Sequence, residues 1–166
     1  MNSWLLVIGY GNTLRGDDAA GPIAAGAVAS LGLPGTRVET RHQLVPELSA
    51  DIATAGIVIF MDAGTLTDRD PPRVTQLRSL RVTGRPMRQP LFGHHLDPSA
   101  VLAVAARVYG RRPAAWLLTI TAEAFEAGSA PSPRCTQGIA EATRIVVSIA
   151  RCRRLAMRFL PDAGVS

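Results

Sequence analysis

Apolar runs recur along the chain, separated by alanine-rich stretches of helical length. "WLLVIG" (4–9) and "GIVIFMDA" (56–63) are apolar nearly throughout, as strands buried on both faces are. "TRVETR" (36–41) reads as a second strand between them, and "AAWLLTITAEAF" (114–125) as a late one. The segment 21–32 predicts a helix with Pro22 in its first turn, where a missing amide is tolerated. Its small residues Ala25 and Gly26 allow close packing on a sheet. "PELSADIATA" (46–55) predicts a short helix begun by a proline. The plainest helix is "DPSAVLAVAARVYG" (97–110), with an Asp cap, a first-turn proline and an apolar stripe. Residues 136–159 predict a long final helix, and Val74–Leu80 a more exposed strand; prolines at 86 and 90 predict a surface loop over 84–93. Strands alternating with helices predict an α/β fold: a three-layer α/β/α sandwich on a central, mostly parallel, twisted sheet of about five strands. One domain is expected over 1–160, with "PDAGVS" (161–166) a flexible tail.

Composition refines this picture. With 166 residues, 47% of them apolar, the chain can bury one sizeable core. No apolar stretch has the length to span a bilayer, so no membrane insertion is expected. "MNSWLLVIGYGN" lacks a basic start and reads as a first strand rather than an export signal. Two cysteines, Cys135 and Cys152, give no disulfide framework, which fits a reducing cytoplasm. The net charge of +5 is carried by arginine without a single lysine. That surplus could steer an acidic partner, but codon usage accounts for it equally well, and no nucleic-acid partner is predicted.

The candidate chemistry starts at "GYGNTLRGDDAAG" (9–21). Gly9 and Gly11 fit a dinucleotide fingerprint, but its third glycine position holds Leu14. Asp17 and Asp18 then stand where a helix start would receive pyrophosphate, and their charge opposes it. No G-K-S/T follows either, so a P-loop is excluded. Asn12 suits a turn that bonds back to its own backbone. Capping the next helix accounts for one of Asp17 and Asp18, not for both. In an open parallel sheet, functional groups collect beyond the C-terminal strand ends. Asp17 and Asp18 follow strand one, Asp62 closes strand three, and His94 and His95 precede the Asp97-capped helix. Two carboxylates and an imidazole suit a borderline divalent ion such as zinc or nickel, with positions left open for water or substrate. Asp62 is the most informative, since an unpaired carboxylate in an apolar strand is costly; a strand-end acid facing solvent is the alternative. No G-x-S-x-G elbow occurs. Cys135 sits near the last helix start, where a thiol pKa would fall, but lacks a histidine partner. Cys152, between Arg151 and Arg153, reads as structural. Arg151, Arg154 and Arg158 share a helix face, solvated or docking.

These residues resemble the hydrogenase maturation endopeptidases, which trim the C-terminus of the [NiFe]-hydrogenase large subunit. "LLVIGYGNTLRGDDAAG" is similar to the family's strand, G-x-G-N-x-L turn and paired acids, "VIFMDA" to its apolar strand ending in an acid, and "GHHLDPSAVL" to its His-x-L segment. "HQLVPEL" (42–48) resembles a segment found in part of the family, and "GSAPSPRC" (128–135) a weaker form of the late G-x-x-L-S-P stretch. Ala19 and Ala130 depart from the usual glycine and leucine, and neither removes a ligand position.

The resemblance implies metal ligation and catalysis by Asp18, Asp62 and His94. Asp17 would orient the loop or hold a water. Asn12, Arg41, His42, Gln43 and His95 would meet the substrate. It also implies a monomeric protease acting on the large-subunit precursor, which brings its own nickel and is cut after the basic residue closing its last cysteine motif. Another divalent ion held in the resting site is the alternative to nickel arriving with the substrate. Competing expectations are a non-catalytic maturation chaperone of the same fold and a small nucleotide-binding oxidoreductase.

Overall fold

Leu5–Tyr10 (β1) and Ile57–Gly64 (β3) pair in parallel, with Leu5 opposite Ile57 and Gly9 opposite Met61. Successive strand side chains point to opposite faces. Leu5, Val7, Ile59 and Met61 therefore enter one core, while Leu6, Ile8, Val58 and Phe60 enter a second. Both sets are buried, so the sheet needs cover on both sides. The coordinates are a computed structural model that describes residues 4–65, 75–80 and 96–158. Thr36–Arg41 (β2), Thr75–Leu80 (β4) and Ala114–Thr121 (β5) complete a five-stranded sheet of order β2-β1-β3-β5-β4. All neighbours are parallel except β4, which runs antiparallel along β5 at one edge.

The helices form the outer layers. Ala20–Ser30 (α1) and Pro133–Arg158 (α4) cover the first core with Ala24, Ala25, Val28, Ala142 and Val146. Leu48–Thr54 (α2) and Pro98–Tyr109 (α3) cover the second with Leu48, Ile52, Val101, Leu102 and Ala105. The α/β/α sandwich expected from the alternating pattern is the one observed.

Two expectations are corrected. The last strand ends at Thr121 rather than 125, because the amides of Glu123 and Ala124 turn away from the sheet toward Asp17. Close packing of α1 does not use Gly26, which is exposed with open space around its Cα. It uses Gly21, where an added Cβ would strike the main-chain oxygens of Tyr10 and Met61. The expected loop over 84–93 and tail over 161–166 lie outside the described residues.

Candidate functional site

Beyond β1 the chain folds back on itself. Gly11 takes φ 142, and an added Cβ there would run into the main-chain oxygen of Asp18. The Leu14 amide donates to Asn12 Oδ1 at 2.9 Å, and the Asn12 amide donates to Asp18 Oδ2 at 3.1 Å. Asn12 thus fixes the turn locally, and Asp18 stands half-buried at its mouth. A 3₁₀ turn over Gly16–Ala19 then leads into α1, and no side chain caps either element. The capping role considered for Asp17 or Asp18 is therefore absent.

Asp17 points the other way and is fully buried. Its Oδ2 accepts from the amides of Glu123 at 2.7 Å and Ala124 at 3.0 Å and from the Ser132 hydroxyl at 2.8 Å; its Oδ1 accepts from the Ser132 amide. Burial pushes this carboxyl up, but the bonds from Glu123, Ser132 and Ala124 outweigh it and hold the pKa down to about 2. Both oxygens are thereby committed to protein donors. Ser132 also caps α4 by accepting from the Cys135 amide at 3.2 Å, one residue before Pro133. The thiol of Cys135 is buried, and burial with the Asp17 charge pushes it up to about 12. The lowered thiol expected at this helix start is overturned, because the thiol is buried and, secondly, feels the Asp17 charge.

Asp62 stands half-buried near the end of β3. Burial pushes its pKa up to about 6; the Tyr10 hydroxyl and Ala63 amide oppose this, and the Asp18 charge adds to it. The charge of Asp18, beyond β1, is therefore felt at Asp62, which lies two residues before the end of β3 and pairs with Thr119 there. The Tyr10 phenol is raised by its own burial and by the charges of Asp62 and Asp97. Asp97, which caps α3 through the Ala100 amide at 2.7 Å, thus belongs to the same surroundings. His94 and His95, just before it in sequence, lie outside the described residues. Among the described residues no group of three or more His, Cys, Asp or Glu could hold a metal ion.

Beside the turn, Gly11, Thr13, Pro22, Thr40, Arg41 and His42 line a shallow cavity of about 170 Å³. His42 is exposed at this cavity and Gln43 follows it, also exposed; Arg41 is tied to Glu39 at 2.7 Å, and Leu14 on the turn is 73% exposed. Sequence reasoning passed over Tyr10 and the part played by Ser132. The signals were present: a phenol between two glycines, and a Ser-Pro pair at a helix start.

A mostly parallel five-stranded sheet with helices on both faces, carrying Asp18 after β1 and Asp62 within the C-terminal part of β3, defines an α/β/α sandwich protein. Among solved structures, this fold is shared with hydrogenase maturation proteases. The [NiFe] hydrogenase maturation protease HycI from Thermococcus kodakarensis matches with a TM-score of 0.67 at 18% identity, over 90% of this chain and 93% of that one. HybD from the same organism gives 0.63 at 19%, over 89% and 99%. The E. coli hydrogenase maturating endopeptidase HybD gives 0.63 at 23%, over 89% and 92%. No family model and no curated protein matches the chain. No described helix is long and apolar enough to cross a membrane.

Proposed function

We propose that this chain is an endopeptidase that removes the C-terminal extension of a [NiFe]-hydrogenase large-subunit precursor and recognises it through the nickel it carries. The observation that carries this reading is the Asp18–Asp62 pair. Burial and the charge of Asp18 both oppose ionisation of Asp62, whose pKa rises to about 6. A divalent cation between the two acids would relieve both penalties. His94 is the third donor in this reading. It comes three positions before Asp97 in sequence, and the Asp97 charge is felt at Tyr10. The shared fold with the solved maturation proteases HycI and HybD supports the protease reading.

The chain's own part is to hold and orient. Asp18, Asp62 and His94 grip the metal of the incoming precursor, which is part of the substrate. The extended tail then lies along the rim cavity, against Asn12, His42 and Gln43, with His95 beside the third ligand. Cys135 is buried and its thiol is held protonated, so it supplies no nucleophile. Water adds to the scissile carbonyl carbon, the carbon–nitrogen bond breaks, and the amine leaves with a proton. Metal binding both anchors the peptide and assists this attack. The test is electrophoretic or mass-spectrometric shortening of nickel-loaded precursor by the purified chain. Binding without shortening would make it a chaperone, and near-wild-type cleavage by Asp62→Ala would overturn the ligand assignment.

A further inference from the structure

We propose that Asp17 and Ser132 form a positioning pair, in which the cap of α4 grips the turn carrying Asp18 and sets where the Asp18 carboxylate stands. Its bearing on cleavage rests on the reading of Asp18 as a holder of the precursor's nickel.

The geometry separates the two neighbouring acids. A 3₁₀ turn has about three residues per turn, so consecutive side chains diverge widely. Asp17 goes inward and is fully buried, while Asp18 faces the rim and is held by the Asn12 amide. Around Asp17, the segment between β5 and α4 is stitched to the turn at several points. The Asp17 amide donates to the Ala124 carbonyl at 2.8 Å, and the Gly128 amide to the Leu14 carbonyl at 2.8 Å. Arg15 Nε reaches the Phe125 carbonyl at 3.4 Å. Every partner of the Asp17 carboxylate is a donor. An amide in its place would set a donor against a donor on one side, whichever way it turned. Ser132 uses its hydroxyl twice, donating to Asp17 and accepting from the Cys135 amide. The late Ser-Pro pair therefore serves both the helix start and the ligand turn.

The experiment is amide NMR and hydrogen exchange on the full chain, with cleavage of nickel-loaded precursor measured alongside. In Asp17→Asn, the amides of Glu123, Ala124 and Ser132 lose their carboxylate partner. The Asn12 amide, whose acceptor is Asp18, should also move upfield and exchange about tenfold faster. Cleavage should fall at least about tenfold. Ser132→Ala should move Asn12 less in the same direction, and Ser132→Thr should restore it. This second pair carries the test if Asp17→Asn does not fold. An unchanged Asn12 amide beside deprotected Glu123 and Ala124 would overturn the proposal, leaving Asp17 a staple of the β5–α4 segment alone. A displaced Asn12 amide with wild-type cleavage would uphold the Asp17–Asp18 coupling and overturn the metal-holding role of Asp18.

Discussion

The main-chain amide of Asn12 donates to Asp18 Oδ2 at 3.1 Å, so the carboxylate facing the rim is held by the turn that precedes it. That turn closes only because Gly11 adopts φ 142 with its Cα against the Asp18 carbonyl. Gly11→Ala should therefore displace Asp18 and destabilise the fold by about 2–4 kcal/mol. Urea denaturation measures the destabilisation. Loss of precursor cleavage at temperatures where the variant remains folded reports the displacement of Asp18.

Asp62 is a charge the fold would be more stable without. Its folded pKa is about 6 against an ordinary 3.8, so the folded state holds the proton more tightly than the unfolded one. Stability therefore falls as pH rises from about 4 to 6, and the whole penalty is present above that. Discounted for partial exposure, it is about 1–2 kcal/mol. Asp62→Asn should melt higher than wild type at pH 8, match it near pH 4, and lose cleavage. Equal melting at pH 8 would contradict the assignment.

Asp17 has the opposite sign. Its folded pKa of about 2 lies below the ordinary 3.8, so the folded state releases the proton more readily. The stabilisation is complete above pH 4 and is lost as pH falls toward 2. The stability gap between wild type and Asp17→Asn should be about 2 kcal/mol or more at pH 6 and narrow steadily below pH 4. Denaturant titrations across that range measure it, and a gap independent of pH would refute the clamp as an ionic one.

The two thiols should differ sharply. Cys135 is buried and raised to about 12, whereas Cys152 is exposed. A maleimide at pH 7 should modify Cys152 alone in the native protein and both residues in guanidinium. Native-state labelling of Cys135, read by peptide mass, would show that the start of α4 opens more readily than its bonds to Asp17 allow.

What could be read from the sequence was local. The alternating cores of β1 and β3 follow from unbroken apolar runs. The ends of α3 follow from Asp97, Pro98 and Gly110, which takes φ 64 as a left-handed terminator. Asp17 shows where local rules fail. An acid before a helix suggests a cap, yet its partners lie on the far side of β5 in sequence. That one long-range partnership also ends β5 early and adds to the burial that reverses the expected acidity of Cys135. The antiparallel direction of β4 had no local signal, since an exposed alternating strand pairs either way. At the candidate site, β1 and β3 are neighbours, so Asp62 lies on the strand beside the one that leads to Asp18, and Tyr10 gave no local signal because its hydrogen-bonding partner Asp62 stands on that neighbouring strand.

The two flanking layers meet the rim separately. Asp18 leads into α1 on one side of the sheet, and Asp97 opens α3 on the other, with Asp62 at the end of the strand between them. A ligand that grips all three places works as a rivet through the sandwich, tying the two helical layers across the sheet between them. If the chain acts as proposed, engagement of the precursor should thus tighten the whole body by simple mass action, and release of the trimmed product should slacken it again.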